Sequence, residues 1–202
     1  MINQALILVG GKGTRLGKLT KKNPKPLLQV NQKPFLDFVI NFLLKFKIKK
    51  ILLLTKFKHE KFKKLYDKKK IGKTIIKCVP EKEYLGTSGA LKNVINKLDK
   101  KFIMCNGDTV FNINLFNFIS KLKKQYIGIL ACSSLQNNIK RYSNFSSKSK
   151  KIISSGIYLF QWDKIKKYLI SPGSIENDVL KNLPKKLFKK VCYKEKFLDI
   201  GI

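Results

Sequence analysis

Ala5-Leu-Ile-Leu-Val-Gly-Gly-Lys-Gly-Thr-Arg-Leu16, with Asn23-Pro-Lys-Pro26 close behind, is the stretch on which the fold turns. Ala5–Val9 is a continuous apolar run bounded by glycine, as a strand buried on both faces requires. Gly10, Gly11 and Gly13 let the backbone approach a ligand and turn its N–H groups onto phosphate oxygens. The pattern G-x-x-x-x-G-K-[ST] is absent, which excludes a P-loop. Gly11, Gly13 and Gly17 approximate a dinucleotide-binding turn, but that reading requires a helix to start at once and run on. Pro24 and Pro26 exclude a helix through Lys25. Residues 10–26 are therefore expected to form a long, shaped loop holding Arg15 and Lys25. Such a loop suits a triphosphate better than a dinucleotide and disfavours a nucleotide-dependent oxidoreductase.

Outward from this loop, strand-like and helix-like segments alternate. Strands are predicted at Ile51–Thr55, Thr74–Val79, Phe102–Cys105 and Ile127–Cys132. Helices are predicted at Phe35–Phe46, Glu60–Tyr66, Ser88–Leu98 and Leu115–Leu122, where apolar residues recur at helical spacing. This β-α alternation predicts an α/β fold of three layers, α/β/α, around a Rossmann-like, mostly parallel sheet. After Cys132 the texture becomes more polar, with a Ser-, Asn- and Lys-rich stretch over Ser133–Lys151. Further strands are expected at Ile157–Phe160, Leu187–Tyr193 and Phe197–Ile200, and a short helix at Ile175–Leu183, stopped by Pro184. One domain over residues 1–202 is the simplest organisation, with a nucleotide-binding half (1–132) and a sugar-binding half (133–202).

The charge narrows the partners. There are 44 Lys and Arg against 12 Asp and Glu, a net +32, and only Arg15 and Arg141 are arginine. Readers of nucleic-acid sequence lean on arginine for bidentate base contacts. The lysines here are scattered pairs and triplets such as Lys49-Lys50 and Lys68–Lys70, so they read as solvated surface and not as a dedicated nucleic-acid site. No apolar run approaches the ~18 residues of a membrane span. Met1-Ile-Asn-Gln has no basic segment before its apolar run, so no secretory signal is expected. Cys78, Cys105, Cys132 and Cys192 form no C-x-x-C and lie in or beside apolar runs, where a free thiol acts as a small hydrophobe. A reduced, cytoplasmic protein fits this usage. His59, the lone histidine, is expected at the surface.

The opening stretch together with Pro24-Lys-Pro-Leu27 resembles the signature of the sugar-1-phosphate nucleotidyltransferases. Five further segments match that family in order. Leu85-Gly-Thr-Ser-Gly-Ala-Leu91 resembles its nucleoside-binding loop and Asn106-Gly-Asp108 its metal-binding turn. Ser155-Gly-Ile-Tyr-Leu-Phe160 resembles its sugar-pocket strand, and Ser174-Ile-Glu-Asn-Asp178 and Phe197-Leu-Asp-Ile-Gly201 its later motifs. Asn106–Leu115 and the short length are most similar to the branch acting on heptose 1-phosphate (D-glycero-D-manno) and mannose 1-phosphate. The resemblance implies the nucleotide-diphospho-sugar transferase fold. It also implies transfer of a nucleoside monophosphate, GMP favoured, from an NTP to a sugar 1-phosphate, with pyrophosphate released and Mg²⁺ as cofactor. Two departures stand out. The sugar-pocket strand opens Ser154-Ser155-Gly156 where relatives have Asn-Ala-Gly or Asn-Gly-Gly. The family's upstream Glu-Lys-Pro lysine is missing, and only the lysines of Ser146–Lys151 stand near its place.

In-line attack by a phosphate oxygen on the α-phosphorus needs no protein nucleophile, only neutralised charge and alignment. Arg15 is expected to chelate the β- and γ-phosphates bidentately. Lys25 is expected to stabilise charge at the α-phosphate or the sugar phosphate. Asp108 and Asp199, each at a strand end, are the candidate Mg²⁺ ligands, Asp108 being counted among the catalytic residues. Gly10, Gly11, Gly13 and Thr14, with Gly86, Thr87 and Ser88, are the candidate nucleotide contacts. A carboxylate accepts hydrogen bonds from guanine N1–H and its amine, which makes Glu81 or Glu83 a candidate base reader. Gly156 and Glu176 are the candidate sugar contacts. A non-catalytic nucleotide or sugar-phosphate sensor, and a thymidylyl-, uridylyl- or cytidylyltransferase of the same family, remain open alternatives.

Overall fold

The short, valine-, leucine- and isoleucine-rich runs become strands because parallel strands are covered on both faces. The computed structural model describes residues 2–134, 152–195 and 197–200. In chain order the strands are β1 (Gln4–Leu8), β2 (Gln29–Val30), β3 (Lys33–Pro34), β4 (Lys50–Thr55), β5 (Lys70–Ile71), β6 (Thr74–Pro80), β7 (Lys101–Asn106), β8 (Thr109–Phe111), β9 (Gly128–Ser133), β10 (Ile153–Gln161), β11 (Phe188–Tyr193) and β12 (Phe197–Asp199). The helices are α1 (Lys18–Lys22), α2 (Phe35–Leu44), α3 (His59–Tyr66), α4 (Gly86–Asn93), α5 (Leu115–Ser120) and α6 (Trp162–Ile165).

Eight strands form one sheet in the order β11-β9-β10-β7-β1-β4-β6-β5. β1 pairs in parallel with both β4 and β7, and β4 with β6. β10 runs antiparallel between β7 and β9, and β11 is parallel to β9. Alternate residues of β1 divide the core. Ala5 and Ile7 pack with residues of α2, α3 and α5, whereas Leu6 packs with Leu91, Ile165 and Val179 on the other face. The three layers expected from the β-α alternation follow from this period of two. Among the described residues no helix is long and apolar enough to cross a membrane.

Three local expectations are corrected. Residues 10–26 are not free of helix: a 3₁₀ turn, Thr14–Leu16, leads into α1. The proline restriction acts only from Asn23 onward, where α1 ends in an extended residue, so Lys18–Lys22 is free to close one turn. Ser88–Leu98 is not one helix; α4 starts earlier, breaks at Val94 and gives way to a 3₁₀ turn, Ile95–Lys97. β-Branched Val94 and Ile95 favour such a break. His59 is half-buried at the start of α3, with Nδ1 2.7 Å from Thr55 Oγ1, and not a free surface side chain. Of the cysteines, Cys78, Cys105 and Cys132 are buried free thiols and Cys192 is exposed. Burial pushes the Cys105 thiol up to about 12, which keeps it protonated and inert.

Most of the segment Ser133–Lys151 lies outside the described residues. So do Arg141 and the lysines weighed as a replacement for the Glu-Lys-Pro lysine.

Candidate active site

A cavity of about 290 Å³ opens where the parallel strands end. Its wall takes Leu8 from the end of β1, Leu54 from β4 and Asn106 from the end of β7. In open α/β sheets this carboxyl edge is where ligands bind. Three loops complete the wall: Val9–Gly13 after β1, Glu81–Thr87 after β6, and the turn holding Lys25 and Pro26.

Each loop is shaped by local chemistry. Thr20 Oγ1 donates to the Gly13 carbonyl at 3.0 Å, folding the glycine loop back on α1. Lys25 stands in a 3₁₀ turn, Lys25–Leu27, between two prolines that set its backbone. Leu27 N–H donates to Pro24 O at 2.8 Å and Leu28 N–H to Lys25 O at 3.1 Å. Gly107 bridges Asn106 and Asp108 and donates its N–H to Leu8 O at 3.0 Å. A β-carbon at Gly107 would sit 2.5 Å from Val9 Cγ1, so only glycine lets β7 turn here against β1.

That turn aims Asp108 at Lys25. Lys25 Nζ donates to Asp108 Oδ2 at 2.5 Å and to Asp199 Oδ1 at 3.4 Å. The two acids are brought together by a pairing the sequence conceals: β12 runs antiparallel to β8, with Asp199 opposite Thr109. Ile200 N–H donates to Asp108 O at 3.2 Å, closing the pair. Since both carboxylates touch one nitrogen, their nearest oxygens lie within about 6 Å of each other. The site is dry. The Lys25 and Asp199 side chains are 9% and 5% exposed, and Asp108 23%. Among the described residues no three His, Cys, Asp or Glu converge to cage a metal. Two carboxylates beside a cavity nonetheless fit Mg²⁺, a hard cation that takes one or two carboxylates and completes its shell with phosphate oxygens and water.

Glu81 lines the same cavity, and Glu83 is exposed and does not. Burial raises the Glu81 carboxyl above its ordinary value, against the opposing pull of the Leu85 backbone N–H and Lys56. A β-carbon on Gly10 would stand 3.2 Å from Glu81 Oε1, and one on Gly13 3.3 Å from Lys25 Cβ. The glycine loop therefore has Glu81 at its start and Lys25 at its end.

Of the other expected residues, Gly10, Gly11, Gly13, Gly86 and Thr87 line the cavity. Thr14 is exposed and does not. Arg15 lies in the 3₁₀ turn Thr14–Leu16. Ser88 is fully buried, does not line the cavity, and its Oγ accepts from Ile170 N–H at 3.0 Å, so it fastens a distant segment. Thr87 Oγ1 likewise accepts from Ile175 N–H at 2.7 Å. Gly156 and Glu176 lie outside the cavity lining. Gly156 sits at the β10 irregularity and packs on Asn106, a wall residue. Glu176 accepts from Tyr158 OH and, at 3.3 Å, from Ser154 Oγ. That burial and that neighbour push the Tyr158 hydroxyl well up, so it remains a donor.

Sequence reasoning missed Tyr84, while Asn106, read only as part of the Asn106-Gly-Asp108 turn, lines the wall itself. Tyr84 is about half exposed at the cavity wall, with Lys12 Nζ 4.7 Å and Lys56 Nζ 5.6 Å from its ring centroid. An aromatic directly before Leu85-Gly-Thr-Ser was the available signal.

Residues 4–143 match the family model described as nucleotidyl transferase. The chain is 33% identical to a D-glycero-alpha-D-manno-heptose 1-phosphate guanylyltransferase of Campylobacter jejuni, over 98% of this chain and 95% of that protein. It is 28% identical to the Aneurinibacillus thermoaerophilus protein of the same name, over 98% and 93%. The crystal structure of HddC from Yersinia pseudotuberculosis, complexed with GMP-PN, superposes with a TM-score of 0.85. Its identity is 26%, covering 100% of this chain and 95% of that one.

Proposed function

The chain belongs to the nucleotidyl transferase family, and from that premise we propose that it transfers GMP from GTP to a heptose 1-phosphate, releasing pyrophosphate. Both similar guanylyltransferases act on D-glycero-alpha-D-manno-heptose 1-phosphate by name, and both align over almost the whole chain. The observation that carries the reading is a cavity with Glu81 and Lys25–Asp108 at the two ends of one glycine loop.

In this reading the base lies toward Glu81, whose carboxylate accepts from guanine N1–H and the exocyclic amine. Tyr84 offers its ring face at the rim. The polyphosphate follows the backbone of Gly10–Gly13, whose glycines leave N–H groups open to it. Arg15 grips the β- and γ-phosphates with its planar fork. An oxygen of the sugar 1-phosphate attacks the α-phosphorus in line. A P–O bond forms there, and the bond to the bridging oxygen of the β-phosphate breaks, its electron pair leaving with pyrophosphate. Lys25 reaches the α-phosphate and stabilises the charge that gathers as this bond is exchanged. Asp108 and Asp199 would hold Mg²⁺, which when bound neutralises polyphosphate charge and fixes its geometry. Glu176, oriented by Tyr158 and Ser154, accepts from sugar hydroxyls.

Base choice tests this assignment. With D-glycero-D-manno-heptose 1-phosphate fixed and GTP, ATP, UTP, CTP and dTTP compared, GTP is expected to have the highest kcat/KM by about 100-fold. Equal use of all five, or preference for a pyrimidine nucleotide, would remove Glu81 as the reader.

A further inference from the structure

We infer that Lys25 competes with the divalent cation for the Asp108–Asp199 pair, so that this chain binds metal weakly on its own and strongly once a nucleotide draws the lysine away. The inference rests on reading those two acids as the metal ligands.

The ammonium already holds one oxygen of each acid. Nζ stands 2.5 Å from Asp108 Oδ2 and 3.4 Å from Asp199 Oδ1. Metal oxygens sit ~2.1 Å from Mg²⁺. An ion shared by these carboxylates would fall a few ångströms from Nζ, in a site where the lysine and Asp199 are almost wholly buried. Burial of Lys25 and Asp199 weakens the solvent screening of two like charges there. A cation that takes Asp108 Oδ2 and Asp199 Oδ1 must displace the ammonium from them.

One of the two must move, and the fold decides which part of Lys25 is free to do so. Pro24 and Pro26 fix the backbone on either side, and Leu28 N–H is bonded to the Lys25 carbonyl at 3.1 Å. Only the side-chain torsions remain. Lys25 lines the cavity beside Gly13, so the open direction for Nζ is into the cavity. Without an anion there, leaving the carboxylates costs the lysine its partners. With a polyphosphate present, the ammonium exchanges one anion for another and the acids are released to the metal. Thermodynamic linkage makes the effect reciprocal: the metal favours nucleotide binding by the same factor. A ligand whose competent state is a minor one binds with affinity reduced by that fraction.

Binding of Mn²⁺ to the full chain without nucleotide, followed by the loss of its free-ion paramagnetic resonance signal, tests this. Lys25→Met and Lys25→Gln are each expected to bind Mn²⁺ about tenfold or more tightly than the parent. Adding Asp199→Asn to Lys25→Met is expected to abolish the gain. In melting curves, Mn²⁺ should raise the transition of both lysine variants more than that of the parent, which also shows that they are folded. Equal or weaker Mn²⁺ binding by both variants would overturn the competition while leaving the metal-ligand reading intact. Absence of Mn²⁺ binding in parent and variants alike would overturn both.

Discussion

The α-carbon of Gly86 faces the carbonyl oxygen of Gly173 so closely that a β-carbon would overlap it. The same carbonyl accepts from Ser88 N–H at 2.8 Å, and Gly173 N–H returns a bond to Leu85 O at 2.8 Å. The loop that lines the cavity is thus pinned, backbone to backbone, to the segment that carries Glu176.

Gly86→Ala is expected to be destabilising, because φ is +70° at this position and the new methyl meets backbone. Left-handed strain and overpacking together amount to about 2–4 kcal/mol, or roughly 5–15 °C in melting temperature. Gly11→Ala is the contrast. Nothing lies within 4 Å of a β-carbon there, so the melting temperature should hold while KM for the nucleotide rises, as the methyl projects where phosphates approach. A stable Gly86→Ala protein would show that the Gly173 contact yields.

Glu81→Gln separates binding from stability. The folded carboxyl is raised above its ordinary 4.5, so the native state holds the proton more tightly than the unfolded chain. Stability therefore falls as pH rises through that window and stays reduced above it. The ligand-free glutamine variant is expected to melt at or above the parent at pH 7.5, with the advantage vanishing below pH 4.5. Guanine preference should be lost at the same time. Lower stability of the variant at pH 7.5 would contradict the sign.

Asp108→Asn and Asp199→Asn are each expected to lower kcat on the order of 100-fold or more with the fold retained. The double variant should be no worse than either single one, because residues acting as a unit are not additive. Independent, multiplying losses would mean the two acids serve different ends.

Tyr158→Phe removes the buried hydroxyl that orients Glu176. A hydrogen bond to a charged group is worth about 1.5–3 kcal/mol. KM for the sugar phosphate is expected to rise about tenfold, with KM for GTP unchanged. An equal rise in both would indicate a general loosening of β10.

Much of this arrangement was legible in local sequence. Ala5–Val9 ends in glycines, and the Asn23-Pro-Lys-Pro26 spacing stops α1 and sets the turn that presents Lys25. What stayed hidden was long-range. A strand was expected over Phe197–Ile200, but β8 is only three residues long, too short for periodicity to reveal, and its pairing with β12 is what places Asp199 beside Asp108. Ser88 followed the same logic in reverse. Thr87 before it lines the cavity, but the Ser88 hydroxyl accepts from Ile170 N–H across the fold, and a one-dimensional motif does not show that bond. Tyr84 escaped notice because an aromatic beside a glycine loop reads equally well as packing until its exposure is seen.

The most direct test of the central claim is pyrophosphate release by the purified chain supplied with GTP, Mg²⁺ and D-glycero-D-manno-heptose 1-phosphate, with each component omitted in turn. The account predicts release only when all three are present, with a GDP-sugar of matching mass formed in equal amount. Release that is the same without the sugar phosphate would contradict it. So would GTP binding with no release across a panel of sugar 1-phosphates, which would identify the chain as a nucleotide sensor built on a transferase fold.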